Sequence, residues 1–237
     1  MLVVIPSALF GRVGAVLSAL LVVFSLIGLT VHSDFYAGRR RRGYYLYFTN
    51  VSNLLVLLYF SLVAPRLYAH AALRPLIAHV EFALTMSIML TFSVFHHLLL
   101  PEVLRQLRGA PLTRELAIMA ADNTAEHYIV PWLTLLYWVL CAPSKDTLTL
   151  ADAALWTAVP LLYLLLVLLC ARRGNCLPGM DSPYPYPFLD VSRRGGAAVA
   201  RTCMRLLALC VGCGVLAIAL IRAAFAVFGS GHALILV

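Results

Sequence analysis

Runs of about twenty apolar residues, separated by short charged or proline-bearing links, recur along this chain and constrain its fold more than any other feature. A helix needs about 20 such residues to cross the roughly 30 Å hydrocarbon core of a bilayer, at about 1.5 Å per residue. The runs predict helices over 8–32, 45–64, 78–99, 118–141, 151–172 and 200–227. Six such spans and their links use nearly all of the 237 residues. The expectation is therefore an all-α polytopic membrane protein, a single domain over 1–237 built as a bundle of six transmembrane helices. The first run is expected to be a span rather than a signal peptide, being long and lacking a basic segment before it.

The formal net charge is +8, but its distribution argues against a nucleic-acid partner. Arg39, Arg40, Arg41 and Arg42, then Arg105, Arg108 and Arg114, then Arg172, Arg173, Arg193, Arg194, Arg201 and Arg205 fall in or beside the first, third and fifth links. They make up thirteen of the eighteen Lys and Arg. Arg12, Arg66, Arg74, Lys145 and Arg222 belong to the opposite side. Positive charge is retained on the cytoplasmic face, so both termini are expected outside. Six cysteines are present, and of these only Cys176 lies clearly in a link, so no disulfide framework is indicated. Cys210 and Cys213 form a CxxC spacing inside an apolar run, where packing is the simpler reading.

Prolines punctuate the links: Pro65 and Pro75 in the second, Pro101 and Pro111 bracketing the third, and Pro143 opening the fourth. The fifth link, 173–199, holds Tyr184-Pro185-Tyr186-Pro187-Phe188-Leu189-Asp190, whose alternating prolines forbid a regular helix. No internal repeat of the inverted-transporter kind is visible.

Ionisable and polar groups inside a span are costly and mark functional candidates. Helix two opens with Thr49, Asn50, Ser52 and Asn53, and Thr49 and Asn53 share a face. Helix three ends with Thr91, Ser93, His96 and His97. Helix four carries Asp122, Asn123, Glu126 and His127 near its start, where Asp122 suits the helix dipole. The expected topology puts all of these in the cytoplasmic half of the bundle, beside the proline-rich link. The other half offers only Glu81, Thr85 and Thr157, so a one-sided pocket is expected rather than a channel.

A threonine hydroxyl becomes a nucleophile when a neighbouring base takes its proton, and histidine is the usual base. Thr49 and His127 are the pair of that type here. Asn50, Ser52, Asn53 and Thr91 are first of all expected as glue between membrane helices. As chemical groups, Asn50 or Asn53 would serve a developing oxyanion, and Asp190 or Glu126 would orient the imidazole. Asn123, His97 and Tyr186 complete the supporting set. No GxSxG elbow, HExxH, phosphate loop or paired zinc-ligand spacing occurs, so no metal and no cofactor are expected.

Three ordered segments carry a resemblance: Tyr47-Phe48-Thr49-Asn50-Val51-Ser52-Asn53-Leu54-Leu55, His127-Tyr128-Ile129-Val130-Pro131, and the Tyr184-to-Asp190 segment. The chain resembles the bacterial six-helix Pr-six-Pr membrane proteins over nearly its whole length. It is more distantly similar to the androgen-induced-gene and androgen-dependent TFPI-regulating protein family. The animal members are described as intramembrane threonine hydrolases of fatty acid esters of hydroxy fatty acids. That resemblance implies a bacterial plasma-membrane protein, a membrane-lipid or fatty acid ester substrate, and Thr49 and His127 as nucleophile and base. Two departures stand: three residues rather than about four separate His127 from Pro131, and Asn50 rather than an aromatic follows Thr49. The competing expectation is a small transporter or lipid-binding protein in which Asp122, Glu126 and His127 relay protons or ligand.

Overall fold

The structure, a computed structural model, describes residues 7–33, 43–109, 111, 113–174 and 182–228. Arg39, Arg40, Arg41, Arg42 and Cys176 lie outside the described residues. Six long helical segments follow in order: α1 (Ser7–His32), α2 (Phe48–Leu67), α3 (74–107), α4 (114–141), α5 (Asp152–Arg172) and α6 (Gly196–Phe228). No strand occurs among the described residues. Helices α1, α2, α3, α5 and α6 are long and apolar enough to cross a membrane. Helix α4 is long but does not meet that apolarity, and it is the helix that carries Asp122, Asn123, Glu126 and His127.

α6 begins four residues before its expected start, at Gly196, and α2, α3 and α4 extend beyond the expected bounds for identifiable reasons. α4 begins at Arg114 because the Thr113 hydroxyl accepts the Leu116 amide and caps the helix, with Glu115 in its first turn. Asp122 therefore sits in the third turn, too deep for the dipole role expected of it. α2 and α3 run through Pro65 and Pro101, which the sequence assigned to links. Before each proline the helix widens into one π turn: Tyr59–Val63, Phe95–Leu99, and in α4 Ala125–Ile129 before Pro131.

The cause is the same three times. Proline brings no N–H and its ring crowds the carbonyl four residues back. The preceding residue then donates one step further: Ala64 to the Tyr59 carbonyl, Leu100 to Phe95 and Val130 to Ala125. In α4 this leaves the Glu126 carbonyl without an intrahelical donor, since Val130 has turned to Ala125 and Pro131 has nothing to give. Asn53 on α2 fills the gap, its Nδ2 donating to the Glu126 carbonyl at 3.3 Å and to the Thr49 carbonyl at 2.9 Å.

Helices α1 to α4 pack around Leu17, Leu21, Val56, Ile88, Val130 and Tyr137. The start of α5 lies against α6 through Ala153, Trp156 and Ile218. The proline-rich link folds back under the bundle, burying Tyr186 and Leu189 with Phe48, Tyr163, Val167 and Val199. Leucines along the outward faces, such as Leu162, Leu165, Leu216 and Leu220, are exposed, as lipid-facing positions require. If Asn53 holds α2 to α4, then Asn53→Ala strands a buried carbonyl. It should lose about 1–3 kcal/mol of stability, read as a lowered melting temperature in detergent, whereas a surface Leu162→Ala should leave it unchanged.

Candidate functional site

Thr49 and His127 line the same cavity. Thr49 is the second residue of α2, close to the helix N-terminus, and His127 lies in the middle of the α4 π turn. The cavity holds about 340 Å³ and is walled by α2, α3, α5, α6 and the proline-rich link. Its lining is mostly apolar: Leu90, Val94, Leu99, Leu164, Met204 and Leu207 stand among its walls. Thr49, Thr91, His127 and Tyr186 are polar groups reaching it. A chamber of that composition suits an acyl chain with a single polar centre at one end.

His127 is held by a face rather than by an acid. Its ring stacks on Phe95 with centroids 3.8 Å apart and planes 11° from parallel, and it lies near the Thr91 carbonyl. Nδ1 is buried without a hydrogen-bond partner, so no hydrogen bond joins it to the Thr49 hydroxyl. Thr91 is fixed in turn, its hydroxyl 2.7 Å from that of Ser52, which donates to the Thr49 carbonyl at 3.0 Å. The Thr49 amide donates to the Tyr186 hydroxyl at 3.4 Å. Tyr186 accepts that amide through oxygen, and the Thr49 side chain neighbours the same hydroxyl.

The supporting residues named from sequence divide into those gathered here and those elsewhere. Asn50 donates to the Tyr44 carbonyl and Asn53 spends its N–H groups on two carbonyls, so both position α2. His97 is exposed, and Asn123 is half-buried one turn before His127. Glu126 is fully buried but faces α1, adjacent positions on a helix pointing apart, and it pairs with His32 instead of His127. Asp190 also does not reach the imidazole. It accepts from Ser182, Ser192 and the Arg193 amide, capping the turn Val191–Arg194. Through that cap it fixes the link that delivers Tyr186.

Sequence reasoning missed His32. It ends α1, and its Nδ1 lies 3.4 Å from Asp122 and 3.2 Å from Glu126. The i,i+4 spacing of the two carboxylates was legible; the distant histidine that joins them was not. The opposite half holds more polarity than expected as well. Tyr59 and Tyr68 donate to Glu81 at 2.7 and 2.8 Å, Tyr137 donates to Tyr68 at 3.0 Å, and Lys145 donates to the Trp138 and Val139 carbonyls. Burial presses the Lys145 ammonium down to about 8. Leu21, Val56, Ile88 and Val130, all without solvent exposure, stand between the two polar groups.

Comparison with protein-family models, with curated proteins and with solved structures finds no match for this chain.

Hydrogen bonds from Ser192 and Ser182, with the Arg193 amide, hold the Asp190 carboxyl down to about 2. A depressed value means the ionised form is favoured in the fold, so its stabilisation is complete above the ordinary carboxylate range and fades as pH falls toward 2. The melting temperature should therefore drop more steeply between about pH 4 and pH 2 in the parent than in Asp190→Ala. Parallel curves would show that the cap does not anchor the link.

Proposed function

We propose that this protein is an intramembrane hydrolase of lipid esters with Thr49 as nucleophile and His127 as general base. The supporting observation is that both residues open on one apolar cavity, with the Tyr186 hydroxyl held at the Thr49 amide. The ester's acyl chain lies among the leucines of α3, α5 and α6, and its carbonyl carbon approaches the start of α2.

The chemistry follows from the groups present. His127 Nδ1 takes the Thr49 proton as the hydroxyl oxygen bonds to the carbonyl carbon, and the carbonyl electron pair moves onto oxygen. Tyr186 donates to that oxyanion, beside the positive end of the α2 dipole. The tetrahedral species expels the alcohol, which collects the proton from His127, and leaves an acyl ester on Thr49. Water, giving its proton to His127, then releases the carboxylic acid and restores the hydroxyl. The mass of hydrocarbon around the site excludes bulk water from every step but the last.

In this reading the Thr49 end of the cavity faces the cytoplasmic leaflet of a bacterial plasma membrane with both termini outside, following the distribution of arginines. The apolar layer of Leu21, Val56, Ile88 and Val130 favours a one-sided site over a transport path. A fluorophosphonate probe should label the protein, and Thr49→Ala and His127→Ala should each abolish labelling. Tyr186→Phe should retain labelling in part and slow ester turnover about 100-fold, the scale of one lost oxyanion donor. Labelling that survives in both the Thr49 and His127 variants overturns the assignment and leaves lipid binding without chemistry.

A further inference from the structure

A second constellation lies on the other side of α4, where it meets α1. His32, Asp122 and Glu126 bring one ligand atom each to within 4.8 Å of one another. Two of the separations are 3.2 and 3.4 Å, from His32 Nδ1 to Glu126 Oε2 and Asp122 Oδ2. A tetrahedral ion with ligands about 2.1 Å away spaces them about 3.4 Å apart, so the three atoms already outline such a shell.

Three independent features make this more than a cluster of acids. The Glu126 side chain is 1% exposed, and while its Oε2 meets His32, its Oε1 has no partner, nor has Asp122 Oδ1. Orphaned buried oxygens of this kind are costly unless something polar satisfies them. Room for Glu126 is made deliberately: a Cβ at Gly28 of α1 would stand 2.4 Å from its Cγ and 3.1 Å from Oε1. Charge supplies the third. Among the described residues His32 is the only cationic side chain within 4.0 Å of either carboxylate. A protonated imidazole balances one of the two carboxylates, and no second cation comes from the described residues, an arrangement that low-dielectric surroundings penalise. A divalent cation with neutral His32 closes the balance.

We propose that His32, Asp122 and Glu126 bind one divalent transition-metal cation of the Zn2+ type, a set of one imidazole and two carboxylates that leaves a fourth position open. The site ties the end of α1 to the middle of α4, immediately behind the π turn that carries His127. It stands on its own residues and does not depend on Thr49 being a nucleophile.

The test uses the full chain in detergent, stripped with a chelator, reloaded with Zn2+ and desalted, and metal content is measured by mass spectrometry alongside melting. About one Zn2+ per chain and a raised melting temperature are expected, because an ion bound only by the fold stabilises it. Glu126→Gln and the milder His32→Gln should each cut retained zinc at least about 10-fold and cancel the shift, as loss of one ligand of three does. Parent protein that retains no zinc overturns the proposal and leaves a proton-bridged His–carboxylate cluster. Full retention in both variants overturns it too, since the ion would then sit elsewhere. Should the variants not fold, X-ray absorption on the zinc-loaded parent decides: a shell of one nitrogen and two or more oxygens at about 2.0–2.2 Å supports the site. A sulfur-containing shell, or one without nitrogen, refutes it.

Discussion

Because Pro131 has no N–H, the Val130 amide reaches back to Ala125 and the Glu126 carbonyl is left for another helix to satisfy. Asn53 does so, and the same side-chain nitrogen holds the Thr49 carbonyl. One absent hydrogen thus brings the start of α2 and the middle of α4 into register. The widened turn sets Glu126 toward α1 and leaves His127 among the walls of the cavity. A regular helix through the same residues would satisfy its own carbonyls and have no claim on Asn53. Two further prolines produce the same turn in α2 and α3. The turn in α3 carries Phe95, the ring on which His127 stacks.

The polar groups so gathered sit in hydrocarbon, where each must be satisfied or be in use. Most are satisfied by chains of short-range ties: Ser52 to Thr91 and Thr49, Asn50 to Tyr44, and Tyr163 to the Leu46 carbonyl. Buried atoms without a hydrogen-bond partner remain on three helices of this half: His127 Nδ1, Glu126 Oε1 and Asp122 Oδ1 on α4, Asn50 and Asn53 Oδ1 on α2, and His32 Nε2 on α1. In the other half the tyrosines close around Glu81 and leave only one of its oxygens orphaned.

Much of this was legible in the chain and some was not, for physical reasons. Apolar runs near the length of a bilayer announce helices without any knowledge of neighbours, and all six long helices lie on the expected runs. Their ends were harder to place. Thr113 caps α4 so that it begins at Arg114, four residues before the apolar run, and Pro65 and Pro101, which ordinarily break a helix, each follow a π turn that removes the demand for their N–H. Thr49, His127 and Tyr186 stood out as polar groups in apolar surroundings, and the cavity joins them. Asn53 joins two helices, the role that asparagine in a span suggests first, whereas Glu126 and Asp190 turn away from the imidazole, because residue type tells what a group can do and not which way it points. His32 escaped notice altogether: at the end of α1, it gains meaning only from carboxylates ninety residues away in the chain.

The division of charge between the two faces of α4 bears on how such a site would turn over. The groups reaching the cavity, namely Thr49, Thr91, Tyr186 and an unpaired imidazole, carry no fixed charge, while Asp122, Glu126 and His32 lie behind the helix. A neutral ester entering from lipid pays little desolvation there. Negative charge first appears in the tetrahedral species, where the α2 dipole and the Tyr186 hydroxyl meet it, so these groups favour the transition state over the bound substrate. On the proposed reaction the released acid would ionise where the described lining residues include no Lys or Arg. A carboxylate is far better solvated at the membrane surface than among leucines, and its departure from the cavity therefore needs no further device.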